Sequence, residues 1–206
     1  MAVSLLIILS VVVIFAGSRL YSQYREQVIR TEESQLLTMA GIVGNNLNSY
    51  MEQQLEEIDL FYSQEGMPEN VWAESGGINA RTAYFLKNNA GVYNWITVTE
   101  PDGTKFRYEL GKKTFRESAD GEVKAVDSQD GNHPAEITGK EISDQTGWYE
   151  LYIEKNVPVG SEVYMLTFAM DLGALYEKIV APVKIGEAGY SSVKDQNMNI
   201  IMHHVK

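Results

Sequence analysis

Side chains capable of catalysis are few and poorly arranged for it. The histidines are His133, His203 and His204. The last two are neighbours on a predicted strand, where successive side chains point to opposite faces, so they cannot readily share a metal ion. Asp127-Ser128-Gln129-Asp130-Gly131-Asn132 is oxygen-rich like a calcium loop. Its second acid is one place out of register, however, and no bidentate glutamate follows at the required distance. An Asp/Gly turn is the better reading, and no metal site is assigned. The absence of cysteine removes disulfides, thiolate ligands and thiol nucleophiles. No phosphate-binding glycine loop and no Gly-x-Ser-x-Gly elbow occurs. Carboxylates abound, but their pairing in space cannot be read from the chain, so no catalytic residue and no cofactor is assigned.

Recognition chemistry is better represented. Tyr93, Trp95, Tyr108, Trp148, Tyr149, Tyr152 and Tyr164 all fall on predicted strands. Most of them serve the core. Tryptophan and tyrosine also carry a polar handle, and small-ligand pockets combine such rings with a few charged groups. Trp95, Tyr108, Trp148 and Tyr149 are the candidate pocket walls, and Arg107 is a candidate charged group beside them. Asp171 ends the apolar strand Thr167-Phe168-Ala169-Met170 just before a predicted helix. Two roles fit it: an N-cap accepting backbone N–H groups, or an anchor for a ligand ammonium or amide.

Composition excludes other classes. Acidic residues outnumber basic ones by 28 to 17, for a formal net charge of -11. A surface of this sign repels phosphate backbones, and no Lys/Arg cluster offers a local exception, so nucleic acid is excluded as a partner. A hydrophobic fraction of 44% with 10% aromatics is enough for a packed core.

The elements that must position these residues begin with a membrane segment. Residues 2–17, AVSLLIILSVVVIFAG, carry no charge, and with Ser18 to Tyr21 they reach about 20 residues, enough to cross a bilayer. No basic residue precedes the run and the Ala16-Gly17-Ser18 stretch is a poor cleavage site, so an uncleaved anchor over residues 1–21 is expected. Arg19, Arg25 and Arg30 follow the span. By the positive-inside rule they would place the rest of the chain in the cytoplasm.

Residues 22–64 contain no proline and read as one long helix. Leu36, Ala40, Val43, Leu47, Tyr50 and Ile58 recur at helical spacing, interrupted by Gln54 and widened by Met39, Ile42, Met51, Leu55 and Tyr62. Such a helix would run roughly 65 Å at its standard rise. It can pack on its own domain, pair with a second copy, or do both. Gly66-Met67-Pro68 ends it and Ser75-Gly76-Gly77 breaks the chain again. A short helix follows over 78–88, with Ala83 and Leu86 on one side. Residues 92–98 and 105–110 form a hairpin about the turn Glu100-Pro101-Asp102-Gly103. Residues 111–146 are polar and without a sustained period, which marks a functional loop or short hidden elements. Strands are expected at 148–158 and 162–171, then a helix over 172–180 and a final hairpin of 189–195 with 200–204. The class is α+β.

This order of parts resembles the extracytoplasmic Cache sensor family in its double-Cache arrangement. Phe168-Ala169-Met170-Asp171-Leu172-Gly173-Ala174-Leu175 is similar to that family's strand–Asp–helix junction. Gly186-Glu187-Ala188-Gly189-Tyr190, through Asp195 to His203, is similar to the hairpin that opens its membrane-proximal unit. The resemblance implies a membrane helix (1–21) and a stalk helix (22–64) packed on a PAS-like antiparallel sheet. It further implies a membrane-distal sensor unit (65–181) and the first hairpin of a second PAS-like unit (182–206), cut short. The implied role is the extracytoplasmic ligand-sensing region of a bacterial membrane receptor of histidine kinase, diguanylate cyclase or chemoreceptor type. It would have no enzymatic activity of its own and would pair as a homodimer through the long helix. A small molecule would be held by Asp171, Trp148, Tyr149, Trp95, Tyr108 and Arg107. Thr146-Gly147-Trp148-Tyr149 departs from the family, with Thr146 where amino-acid-binding members carry the arginine that clamps a ligand carboxylate. Two competing readings are a membrane-anchored interaction or scaffold domain without a ligand pocket, and an anchored hydrolase.

Overall fold

The structure, a computed structural model, describes residues 2–63, 77–111, 115–117, 133–184 and 189–203, with 2–12 and 115–117 described by their backbone. The expected break at 66–68, the Asp127–Asn132 turn, Gly186-Glu187-Ala188 and His204 lie outside these residues. So do the side chains of the apolar run through residue 12.

The chain forms two compact units, residues 1–45 and 46–206. Helix α1 (Ala2–Tyr62) is continuous, beginning in the first unit and ending in the second. Among the described residues no helix is long and apolar enough to cross a membrane. Within the first unit Val13, Ile14, Phe15, Leu20, Tyr21, Leu36 and Leu37 are exposed, while Val43 is buried. Leu36 and Ala40, whose spacing allows packing on the domain or on a second copy, are exposed in the single chain.

In the second unit the seam is real. Leu47 and Tyr50 are half-buried, and Ile58 and Tyr62 are buried. Gln54, the apparent interruption, is buried as well, because its Oε1 accepts a hydrogen bond from the Tyr93 hydroxyl at 3.1 Å. A polar residue at a core position is tolerated when its partner is supplied. Helix α2 (Gly77–Asn88) buries Ile78, Thr82, Phe85 and Leu86. Ala83 faces out, since steps of four and three from Ile78 pass it by.

Six strands make one antiparallel sheet in the order β3-β2-β1-β6-β5-β4. They are β1 (Tyr93–Thr99), β2 (Lys105–Glu109), β3 (Phe115–Glu117), β4 (Glu136–Ile142), β5 (Tyr149–Val159) and β6 (Glu162–Asp171). The expected β1–β2 hairpin forms, with Gly103 at a positive φ of 84° in its turn. The β5–β6 hairpin turns at Gly160, φ 65°. Strands β3 and β4 arise inside the polar stretch 111–146. Strand β4 is an edge strand with five of its residues exposed, which is why its sequence shows no apolar alternation.

The inner face of the sheet carries the core. Tyr62, Phe85, Tyr93 and Phe168 pack with ring centroids 5.6–5.9 Å apart. Ile96, Val98, Ile153 and Leu166 are fully buried around them. Lys155, 3% exposed, reaches Asp59 of α1 at 2.8 Å and donates to the carbonyl of His133 at 2.7 Å. After β6 comes α3 (Leu172–Leu175), which continues as a π-helical turn over Tyr176–Val180. A minimal two-stranded sheet closes the chain, β7 (Val193–Lys194) with β8 (Ile200–Met202). Its turn is organised by Asp195, which pairs with Lys140 of β4 and accepts hydrogen bonds from the backbones of Asn197 and Asn199. The Lys140 contact, followed by these Asn bonds, holds the Asp195 carboxyl down at about 2.

Candidate functional site

The site begins with an irregularity in β1. Strict alternation would put Tyr93 and Trp95 on the same face. A bulge between them breaks the register: Tyr93 pairs with Met170, whereas Trp95 pairs with Ala169. Tyr93 consequently turns inward to Gln54, and Trp95 takes an outer-face position. Bulges re-aim side chains in this way. The residue between them, Asn94, directs its side-chain amide to Glu150 Oε1 at 2.6 Å, and the Trp95 indole Nε1 donates to Glu150 Oε2 at 3.2 Å. Glu150 is 4% exposed, and these two neutral donors stabilise its burial.

Register defines the outer face row by row. Glu141 of β4 pairs with Glu150 of β5, and Glu150 with Asp171 of β6. The next row runs Gly139, Tyr152, Ala169, Trp95 and Glu109. The one after that places Arg107, Thr97, Thr167 and Glu154 side by side. Over these rows lies a cavity of about 460 Å³, lined by Trp95, Arg107, Glu109, Glu141, Ile142, Ser143, Asp144, Gln145, Glu150 and Tyr152. The Trp95 and Tyr152 rings stand 5.6 Å apart, inclined at 53°, on either side of the small Ala169. The Arg107 guanidinium lies 4.1 Å above the Trp95 ring, with its Nε 3.1 Å from Glu109 Oε1. The Tyr152 hydroxyl donates to Glu141 Oε2 at 3.1 Å. Burial, then that bond to a carboxylate, pushes its pKa up to about 12, so it stays a neutral donor at any physiological pH.

Of the six residues nominated from the sequence, Trp95 and Arg107 line this cavity. Tyr108 does not, because it sits on the inner face, with its hydroxyl 2.7 Å from Asn79 Oδ1 of α2. Asp171, Trp148 and Tyr149 are not among the lining residues either. Asp171 caps α3: its φ and ψ are -77° and 109°, and its Oδ1 accepts from Gly173 N at 2.8 Å. Trp148 meets the same junction. Its indole stacks on Tyr176 at 5.5 Å and crowds Gly173, where an added Cβ would fall 2.6 Å from the Trp148 Cγ. Only glycine fits there. Thr146 serves its own turn by accepting from Trp148 N at 3.2 Å. Sequence reasoning missed Glu150, Glu141, Glu109 and Asp144, and it placed Tyr152 among the strand aromatics without nominating it as a wall residue. A charged residue within the otherwise apolar Trp148–Ile153 strand was the available signal for Glu150. His203 packs edge-on against Tyr190, centroids 4.7 Å apart. Among the described residues no group of His, Asp and Glu could hold a metal ion.

Comparison with solved structures finds this fold, a long helix on an antiparallel sheet, in sensory and ligand-binding domains. The ligand-binding domain of Campylobacter jejuni chemoreceptor Tlp3 in complex with 4-methylisoleucine is similar at a TM-score of 0.55 and 13% identity, over 83% of this chain and 70% of that one. The same domain with L-valine gives a TM-score of 0.53 at 13% identity, over 86% and 71%. The extracellular domain of vpHK1S-Z8, assigned as a histidine kinase, gives 0.51 at 15% identity over 71% of this chain. The present chain spans only 60% of that domain's length. No protein-family model matches the chain, and no curated protein matches its sequence.

Proposed function

We propose that this chain is the extracytoplasmic ligand-sensing region of a bacterial membrane signal-transduction receptor, of histidine kinase, diguanylate cyclase or chemoreceptor type. The observation that carries the reading is the outer-face cavity. It combines aromatic walls, one engaged arginine and a buried glutamate on the side of the sheet away from α1. Convergent polar groups around rings are what small-ligand sites are made of. The names of similar structures, a chemoreceptor domain holding amino acids and a histidine kinase's extracellular domain, support the same role. Trp95 and Arg107 are wall residues in this reading, joined by Glu150 and Tyr152.

The apolar run 2–17 anchors the chain in the membrane, with residues 46–206 outside the cytoplasm. Exposed Leu36, Leu37, Met39 and Ile42 form the surface through which two copies pair along α1. A ligand that binds one arrangement of that pair better than another shifts the balance between them. Gln54 and Asp59 tie the last turns of α1 to the sheet, so a change there reaches the helix.

The test is a thermal-shift screen of metabolites against the full chain in detergent micelles. A ligand that binds only the folded state raises the melting temperature, and Trp95→Ala should abolish the shift. Reporter fusions after Gln64 should behave as extracytoplasmic. A cytoplasmic signal there, or no ligand in the screen, overturns the sensor reading.

A further inference from the structure

The charge distribution of the cavity narrows the class of ligand. Glu109, Glu141, Asp144 and Glu150 line it, and among the described residues Arg107 is its single cation. That cation is engaged, stacked 4.1 Å over Trp95 and 3.1 Å from Glu109. The other three carboxylates have no cationic side chain against them among the described residues. Glu150 is held by the neutral donors of Asn94 and Trp95, and Glu141 by the hydroxyl of Tyr152.

A second observation comes from the backbone. The β4–β5–β6 register sets Glu141, Glu150 and Asp171 side by side in one row. Like charges directly opposite one another repel; Asp171 has its own role as the cap of α3, but no local folding role accounts for Glu141 opposite Glu150. A bound cation relieves that repulsion. Arg107 stands two rows further along, beyond the Tyr152–Trp95 row, with its charge offset by Glu109. The rings of Trp95 and Tyr152 supply apolar surface and negative π faces beside the acids.

We propose that the cavity binds a small organic cation, a protonated amine or a quaternary ammonium with an apolar body. Its ammonium would lie at the Glu141–Glu150 row and its body against Trp95 and Tyr152. This rests on the sensor reading and goes beyond it by fixing the charge of the ligand.

A matched set tests it: choline and 3-methylbutylamine, their neutral isosteres 3,3-dimethylbutan-1-ol and 3-methylbutan-1-ol, and the carboxylates 3,3-dimethylbutanoate and 3-methylbutanoate. Binding to the full chain in micelles is followed by calorimetry and tryptophan fluorescence. At least one cation should bind on the order of tenfold tighter than its neutral isostere, with affinity falling as salt rises. Glu141→Gln and Asp144→Asn should each weaken that cation about fivefold or more without lowering the melting temperature of the free protein. Failure of both cations to bind overturns the proposal, as does undiminished cation binding by a variant that combines Glu141→Gln with Asp144→Asn. A neutral or anionic metabolite from the screen that binds wild type but not Trp95→Ala overturns the cation and leaves the sensor reading standing.

Discussion

The two faces of the sheet are built from alternate residues of the same strands, yet they handle polar groups in opposite ways. On the inner face the long-range polar contacts among the described residues join complementary partners. Gln54 meets Tyr93, Thr82 meets Tyr62, Asn79 meets Tyr108 and Asp59 meets Lys155. On the outer face three carboxylates stand in register across β4, β5 and β6, with no cation between them among the described residues. The inner face is organised for stability. The outer face carries a local cost of the kind that binding sites tolerate when a ligand offsets it. Mutations that serve the fold should therefore be costly on one face and nearly free on the other.

The largest effect is expected at Phe168, which is fully buried among Tyr62, Phe85 and Tyr93. Phe168→Ala should cost about 3–5 kcal/mol in chemical denaturation, through lost contacts and the cavity left behind. A cost below about 1 kcal/mol would mean that the inner face is not the core. Next is Lys155→Met, which leaves Asp59 without its cation. Asp59 is a third exposed and keeps its bond from the Ala135 N–H, so the loss should be about 2 kcal/mol rather than the full value for a buried pair. Asp59→Leu added to Lys155→Met should recover part of it, and a strictly additive double variant would contradict the pairing.

At the junction of the two faces, Asp171 separates its two roles. As the cap of α3 it should lose only about 0.5 kcal/mol on Asp171→Asn and about 1 kcal/mol on Asp171→Ala, read from thermal melts. An equal loss for both variants would count against capping by the side-chain oxygen. The smallest effect is expected at Glu141. Glu141→Gln keeps an oxygen for the Tyr152 hydroxyl and removes one of two opposed charges. It should be neutral or stabilising, by up to about 0.5 kcal/mol. A loss of more than about 1 kcal/mol would show that the acidic row contributes to stability after all.

Much of this architecture is legible in the chain. The 3.6-residue seam of α1 from Val43 onward, the two hairpins and the cap at Asp171 are all local patterns, and each is set by residues close in sequence. Periodicity reports which side of an element is apolar, because burial selects for it residue by residue. It does not report which elements become neighbours. The pairing of β1 with β6, the placement of β4 at the edge and the shift between Tyr93 and Trp95 are settled by contacts across more than 60 residues of intervening chain for β1 and β6 alone. That is why Tyr108 could be grouped with Trp95 and Arg107 in a list of aromatic and charged strand residues, although it faces the helices. It is also why Glu150, one acid among 28 acidic residues, showed in the sequence only as a charge within an apolar strand. Its role comes from the Asn94 bulge and from the strands on either side of it, and cross-strand neighbours exist only once the sheet has closed.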